Sequence, residues 1–415
     1  MNVAESNAME VILKGLNVEK TEDENDADYV IINTCSVRAS AESRVFGRLG
    51  YFSTVKKKNG KTKIILTGCM ASRIKDELKE KAPYIDYIIG NTGKEEIPFI
   101  INGEEREVEK EKYSFLPSYF KEGEFSSYVP IMNGCNNFCS YCIVPYVRGR
   151  EVSRPLDDVV REIKRLGKSK VKEITLLGQN VNSYKDGNVG FPELLEALDG
   201  KLGEIEFVRF ESPHPKDFSS HLISVIGKEK KIARHIHLPM QSGSTRVLKL
   251  MNRKYSKEDF LELVERIKEG IEGVTFSTDV MVGFPTETES EFLETIEVMD
   301  KMPTVEAFMY YFNPREGTKA YSMDGQIPLE EKTRRLEYLI EKQLERAKRM
   351  KSALLPFKTK AIVLGKSRDD GNMLLSRDEH NYMTSFIPLK EHKEGDVVEL
   401  YVDELKGNTF RGREV

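Results

Sequence analysis

Tyr128-Val129-Pro130-Ile131-Met132-Asn133-Gly134-Cys135-Asn136-Asn137-Phe138-Cys139-Ser140-Tyr141-Cys142 is the stretch that decides the fold. Its apolar run at 128–132 reads as a buried strand. The strand passes directly into a loop holding three cysteines in a CxxxCxxC spacing. Three thiolates on one short loop hold three corners of a [4Fe–4S] cube and leave the fourth iron open. An electron-transfer cluster usually has four protein thiolates. The alternative is zinc, which takes four ligands in structural sites; no fourth Cys or His lies nearby in sequence, and the spacing differs from common zinc patterns. An open iron can bind a substrate directly.

Downstream, apolar runs at 173–177, 206–210, 235–238, 275–282 and 306–311 alternate with helical patterns such as 156–166 and 290–302. With the first strand these units predict a partial (β/α)6 barrel, with its chemistry at the carboxyl ends of the strands. Each later strand runs into a polar loop: Gly178-Gln179-Asn180, Glu211-Ser212-Pro213-His214, His237-Leu238-Pro239-Met240-Gln241-Ser242-Gly243, Asp279 to Gly283, and Phe312-Asn313-Pro314-Arg315. One Gly or Pro there is ordinary turn chemistry. Repetition at successive strand ends rings one mouth with hydrogen-bonding groups. Gln179, Ser212, Gln241 and Gly283 are the cofactor-binding candidates, with Tyr141 either beside them or a core aromatic.

Upstream, strands at 29–32, 63–67 and 87–89 alternate with helices at 40–57 and 73–80, after an opening helix whose apolar face is Ala4, Met9, Ile12, Leu13 and Leu16. This alternation predicts an open parallel α/β sheet. Cys35 and Cys69 each follow an apolar strand, which puts both at one edge of that sheet. They are candidate metal ligands or two unrelated buried thiols. The polar stretch 102–126 reads as a linker or surface excursion. After residue 354, short runs at 360–364, 373–375 and 396–402 between Gly- and Asp-rich turns predict a small antiparallel β-barrel. The domains expected are 1–108, 121–351 and 354–415, the last a separable RNA-binding module.

Composition limits the remaining readings. The 415-residue chain is 39% hydrophobic and 32% charged, as in a globular protein. No apolar stretch approaches the roughly 20 residues of a membrane span, and the start, Met1-Asn2-Val3-Ala4-Glu5-Ser6, has no signal segment. A cytoplasmic protein is expected. Five cysteines in such a chain argue against a disulfide framework. With a net charge of −4, any RNA surface must be local. One candidate is the helix at 331–351, with Lys332, Arg334, Arg335, Lys342, Arg346, Lys348, Arg349 and Lys351 against Glu331, Glu337, Glu341 and Glu345; a solvated face with i,i+4 pairs accounts for much of it too. Tyr382, Phe386 and Phe410 are candidate stacking residues or barrel core.

The run from Gly134 to Glu151 resembles the radical S-adenosylmethionine (SAM) methylthiotransferases. Asn33-Thr34-Cys35-Ser36-Val37-Arg38, Gly68-Cys69-Met70-Ala71, Gly178-Gln179-Asn180-Val181-Asn182-Ser183-Tyr184 and His237 to Gly243 extend the resemblance over essentially the whole chain. It is greatest to the branch acting on dimethylallyladenosine in tRNA. The resemblance implies a methylthiotransferase domain, a radical SAM domain and a C-terminal RNA-binding barrel called TRAM. It implies SAM on the open iron of a cluster held by Cys135, Cys139 and Cys142, with Tyr141 beside the adenine. It further implies an auxiliary [4Fe–4S] cluster on Cys35, Cys69 and one more cysteine, which supplies sulfur. One SAM then methylates that sulfur, and a second yields the 5′-deoxyadenosyl radical that takes hydrogen from carbon 2 of the adenine. The expected partners are tRNA, a reducing electron donor such as a flavodoxin, and a sulfur donor, with no membrane and a monomeric chain.

The first auxiliary cysteine of the family lies in a Gly-Cys-Gln-Met-Asn motif, and Met1-Asn2 correspond to its last two residues. The expectation is that the natural chain begins upstream, or that this form holds its auxiliary cluster defectively across a vacant ligand position. Three functions stay open: the dimethylallyladenosine enzyme; a relative acting on threonylcarbamoyl-adenosine tRNA or on a ribosomal-protein aspartate; and a non-catalytic iron–sulfur RNA-binding protein.

Overall fold

The computed structural model describes residues 1–36, 39–104, 113–116, 120–368 and 371–415. Val37 and Arg38 of the 33–38 motif, and much of the stretch expected as a linker, lie outside the described residues. The chain forms two compact units. The first comprises Met1–Glu122, Tyr128–Phe138 and Cys142–Arg154; the second comprises Gly123–Ser127, Cys139–Tyr141 and Pro155–Val415.

In the first unit, α1 (Asn2–Gly15), β1 (Tyr29–Thr34), α2 (Ala39–Asn59), β2 (Lys63–Gly68), α3 (Cys69–Arg73), α4 (Lys75–Lys81), β3 (Tyr87–Ile89) and α5 (Glu96–Ile101) follow in order. The strands form a parallel sheet in the order β1-β2-β3. Its register pairs Tyr29 with Lys63 and ends with Thr34 opposite Gly68. Strand side chains alternate between faces, and β2 shows the consequence. Ile64 and Leu66 pack with Leu49, Phe52 and Val55 of α2, while Ile65 packs on the other face with Met9 and Ile97. Burying each such side chain contributes about 1.5–3 kcal/mol. Two expectations change here. The helix expected at 73–80 begins at Lys75, because Ile74 leaves the helical region at φ −120°, ψ 37°, and the short helix α3 over Cys69–Arg73 precedes it. The buried face of α1 is Ala4, Glu5, Ala8 and Met9, and Leu16 is exposed. A carboxylate occupies an inward position because Lys94 and Arg148 pair with it there. The unit ends with β5 (Met132–Asn133) and β6 (Val152–Ser153), an antiparallel pair flanking the cysteine loop and α6 (Val144–Arg148); β4 (Ser126–Pro130) precedes them.

The second unit runs α7 (Leu156–Leu166), β7 (Glu173–Leu177), a short excursion β8 (Lys185–Asp186) and β9 (Val189–Gly190), α8 (Phe191–Ala197), β10 (Phe207–Phe210), α9 (Ser220–Lys228), β11 (His235–His237), α10 (Thr245–Leu250), α11 (Lys257–Gly270), β12 (Thr275–Val282), α12 (Glu289–Lys301) and β13 (Thr304–Tyr311). β7 pairs in parallel with β10, and β11, β12 and β13 form a second parallel set. A parallel bridge from Val208 to Ile232 joins the two sets. β4 enters through Ser126 and Ser127, which completes six strands in a partial barrel. β7 is buried along its whole length, as a strand covered on both faces must be.

The helix α13 (Leu329–Ala353) leads into β14 (Phe357–Lys366), β15 (Leu374–Asp378), β16 (Met383–Ile387), β17 (Val397–Lys406) and β18 (Thr409–Glu414), which close a barrel in the order β14-β15-β16-β18-β17. The expectation of an antiparallel barrel needs one correction: β16 and β18 run parallel. A closed ring with an odd number of strands cannot alternate direction all the way round. Tyr382, Phe386 and Phe410 are buried in its core, and Val305 of β13 belongs to the same core. The turn after β15 lies against the six-stranded barrel. Arg209 donates to the carbonyls of Asp378 and Glu379, Arg377 pairs with Glu173, and Thr275 Oγ1 donates to the His380 carbonyl at 2.9 Å. The small barrel therefore shares packing with the larger one.

Candidate functional site

The CxxxCxxC loop is fixed at both ends by backbone. Gly134 has φ +81°, and a Cβ there would lie 2.1 Å from the Arg150 carbonyl oxygen, so only glycine fits. The Cys135 N–H donates to Gly149 O at 3.2 Å. Asn136 donates through its backbone and side chain to Glu151 at 3.1 and 3.2 Å. Within the second unit, Ser140 is fastened by its N–H to Met251 O (3.0 Å) and its hydroxyl to Leu250 O (2.8 Å).

None of the five cysteines is in a disulfide. Among the described residues no three His, Cys, Asp or Glu side chains already form a single-ion cage. A cube does not require one, since each thiolate binds a different iron. The donor set gives the test of fit. Arg253 is buried, and its Nη1 lies 3.6 Å from Cys139 Sγ; its other partners are Pro239 O (2.9 Å) and Tyr255 Oη (2.9 Å). Among the described residues no carboxylate pairs with it. A guanidinium stays charged, and a buried charge requires a partner. An anionic thiolate cluster beside Cys139 meets that requirement, so the residues fit the group.

The strand-end residues stand where the sequence put them, at the carboxyl ends of the second unit's strands. Ser212 and Gln241 both adopt left-handed backbone, at φ +62° and +68°. Such conformations cost about 1–3 kcal/mol and gather at ligand sites. Gln241 N–H donates to Asp279 O at 2.8 Å, and its Oε1 accepts from Tyr310 Oη at 3.0 Å. Gly283 has φ +69°, and its N–H donates to Glu287 at 2.6 Å. Gln179 follows β7, beside Asn180, whose Oδ1 is buried with no hydrogen-bond partner. Such an orphaned acceptor suits a ligand donor. Tyr141 is half-buried against Met251, Met281, Phe284 and Phe312. Deeper in the strands, His237 Nε2 meets Asp279 at 3.3 Å. Burial works against its charge, yet Asp279 outweighs this and raises its pKa. Glu211 is raised as well, but by burial itself, which favours its neutral form.

The second thiol pair is built by topology. Thr34 and Gly68 are register partners at the ends of β1 and β2, so Cys35 and Cys69 are the next residues on neighbouring strands. Gly68 has φ +96°, and a Cβ there would meet Thr34 O at 2.4 Å. Cys69 is buried against Ile143 and Val147, the residues that follow Cys142. Asn91 Nδ2 donates to Cys69 Sγ at 3.5 Å and to Val147 O at 2.8 Å, and its Oδ1 is buried without a partner. Nearby, Glu5 binds Lys94, Arg148 Nη1 (3.0 Å) and Tyr113 Oη (3.1 Å). Burial pushes its carboxyl up, but the Lys94 and Arg148 charges override this and hold it well below the usual carboxylate range.

Sequence reasoning missed Arg253, Tyr310 and Asn91. Only Asn91 carried a signal, since it follows strand β3 as the two cysteines follow theirs. The cationic helix reading is corrected. Lys332, Arg335, Arg346 and Lys351 of α13 are buried, and Arg335 pairs with Glu287 and Arg346 with Asp300. Arg334 and Lys342 pair with Glu331 and Glu345, which leaves Lys348 and Arg349 exposed without such a pair among the described residues. Long cationic stems bury readily when their heads find acids.

A family model described as "Radical SAM superfamily" matches residues 129–299. A second, described as "Uncharacterized protein family UPF0004", matches residues 1–90. The solved structure of TsrM, a radical SAM methyltransferase from Kitasatospora setae, is similar in fold, with a TM-score of 0.59 over 77% of this chain and 72% of that one at 14% identity. These matches define a radical SAM protein, a class that implies SAM and a [4Fe–4S] cluster. Relatives named tRNA-2-methylthio-N(6)-dimethylallyladenosine synthase are 43% identical in Treponema denticola (99% of this chain, 97% of the relative) and 41% identical in Fusobacterium nucleatum (99% and 97%). Another, from Clostridium tetani, is 39% identical over 100% of this chain and 94% of its own length. The chain belongs to the tRNA-2-methylthio-N(6)-dimethylallyladenosine synthase family. Among its described residues no helix is long and apolar enough to cross a membrane.

Proposed function

We propose that the protein is a tRNA-modifying transferase that places a methylthio group on carbon 2 of N6-dimethylallyladenosine beside the anticodon. One observation carries the reading: within the first unit, Cys69 of a second thiol pair packs against the residues that follow Cys142. Cys69 touches Ile143 and Val147, and Asn91 bridges the Cys69 sulfur to the Val147 carbonyl. A radical enzyme that only cleaves SAM has no use for that arrangement. A sulfur-transferring one needs a sulfur source close to the radical.

In this reading Cys135, Cys139 and Cys142 hold the SAM-binding cluster, and Cys35 and Cys69 are two of the three ligands of an auxiliary cluster, the third being the further cysteine that the family resemblance implies. When bound, the first cluster and SAM supply the radical chemistry that takes hydrogen from the adenine carbon. Arg253 balances thiolate charge at Cys139 and orients that side of the loop. Gln241, held by Tyr310, and Asn180 present polar groups to SAM at the strand ends, with Ser212 and Gly283 setting the left-handed turns there and Tyr141 an apolar wall. An electron donor such as a flavodoxin and a separate sulfur donor are required by this chemistry, and a monomer suffices for it.

The test is anaerobic reconstitution with iron and sulfide, then reaction with SAM, reductant and tRNA carrying dimethylallyladenosine. Nucleoside mass spectrometry is expected to show the 2-methylthio product. A product only from threonylcarbamoyl-adenosine tRNA or a ribosomal protein would overturn the substrate. Binding of tRNA with neither SAM cleavage nor product would favour the non-catalytic iron–sulfur RNA-binding reading.

A further inference from the structure

Phe138, Tyr146 and Arg150 form an aromatic–cation patch in the first unit. The Phe138 and Tyr146 rings meet edge to face with centroids 5.9 Å apart, and the Arg150 guanidinium lies 4.5 Å from the Phe138 centroid. Tyr146 is 59% exposed, and Arg150 is exposed as well. Single exposed aromatics are ordinary; this one is distinguished by how firmly its surroundings are set. Phe138 adopts φ +48°, a left-handed conformation rare for a bulky residue. The Arg150 backbone passes close to Gly134, where no side chain would fit, and the neighbouring Asn136–Glu151 hydrogen bonds close the loop. The patch is pre-organised before anything binds it.

Its place in the chain suggests the occupant. Phe138 stands between cysteines Cys135 and Cys139, and Tyr146 is on α6, just past Cys142. A base that reacts at this loop brings its two neighbours, each one phosphodiester away. Those neighbours carry a flat π-face and a phosphate. An open tyrosine ring stacks on the first, and an exposed guanidinium pairs with the second. The chain as a whole is acidic, at −4, so a local cation beside an aromatic is the form an RNA contact must take here.

We propose that Phe138, Tyr146 and Arg150 are a stacking platform for the nucleotide adjoining the target adenosine in a single-stranded RNA loop. The proposal rests on the tRNA reading above and names a surface that positions that substrate. Phe138 props Tyr146 edge-on and holds Arg150 by a cation–π contact. Tyr146 takes the base and Arg150 its phosphate.

The experiment uses the reconstituted full chain and an anticodon stem-loop RNA carrying 2-aminopurine next to dimethylallyladenosine. Binding to the wild type is expected to quench the probe. Tyr146→Ala should weaken binding by roughly 5- to 150-fold, the loss of one base stack, and remove the quench; Tyr146→Phe should restore both. Arg150→Ala should lower the slope of log affinity against log salt by about 0.7–1. Tyr51→Ala, an exposed tyrosine on α2, is the control and should bind as wild type. Circular dichroism and bound iron establish that each variant is folded. Equal affinity and quench in Tyr146→Ala and wild type would overturn the platform. Unchanged RNA binding with slower reduction of the cluster by a flavodoxin would overturn it in favour of a protein-docking surface. If the wild type binds this stem-loop no better than an unrelated hairpin, the failure lies in the tRNA reading beneath.

Discussion

The two thiol sites are built in opposite ways. The loop between β5 and α6 carries three cysteines within eight residues, and a buried arginine without a carboxylate partner among the described residues reaches Cys139. The sheet edge carries Cys35 and Cys69 on separate strands, brought together by the Thr34–Gly68 register. Its sulfur is served by a neutral amide, Asn91, while the buried cations Lys94 and Arg148 already share Glu5. The loop is a site made by sequence spacing with an unanswered positive charge. The edge is a site made by topology, with its nearby charges largely answered. A negative group is demanded at the first and merely accommodated at the second.

The largest expected effect is at the loop. Cys139→Ala should reduce SAM cleavage to background, because two remaining thiolates leave half a cube without protein ligands. Undiminished 5′-deoxyadenosine from this variant would remove the loop from the chemistry. Next is the unanswered charge. Arg253→Leu should cut cluster retention or SAM cleavage by about 10–100-fold, the usual scale for a group acting behind a ligand. Iron retention and turnover equal to wild type would show that the guanidinium balances nothing there.

Acid should separate the regions by a smaller amount. In the second unit burial holds His214 neutral with a pKa pushed down to about 2, and His235 likewise to about 3. His214 Nδ1 accepts from Lys216 N–H, and His235 bonds Thr275 and Ser277 hydroxyls. An unfolded histidine protonates near 6.5, so the stability these groups contribute is present above that pH and lost as pH falls toward 3. At pH 5 the cost is about 2 kcal/mol for each. Glu5 in the first unit has its pKa lowered below the usual range, so its contribution is lost only in stronger acid. Thermal melts should therefore lose less stability between pH 7 and 5 in His235→Gln than in wild type. A dependence identical to wild type in His235→Gln would contradict it.

What the sequence disclosed follows the same division. The parallel strands were legible because β-branched runs such as Ile64-Ile65-Leu66 separate cleanly from amphipathic helices. The CxxxCxxC loop was legible because its ligands are neighbours in the chain. Arg253 was not, since nothing in Met251-Asn252-Arg253-Lys254 distinguishes a buried guanidinium from a surface one, and its contact with Cys139 spans more than a hundred residues. The basic residues of α13 misled for the same reason: their acids, Glu287 and Asp300, lie on other elements. Glu5 was hidden in an apolar face because its partners come from 89 and 143 residues away. The parallel strand pair in the terminal barrel follows from its odd strand number, which the blurred runs after 354 did not reveal.

The central claim is that the sheet-edge thiols supply the sulfur step and the loop thiols the radical step. It is tested most directly by Cys69→Ser in the reconstituted full-length protein, with 5′-deoxyadenosine and 2-methylthio-adenosine counted in the same reaction on dimethylallyladenosine tRNA. The expected result is continued SAM cleavage with methylthio product at background. Methylthiolation at the wild-type ratio to SAM cleaved would contradict the account, because Cys69 would then have no part in the transfer.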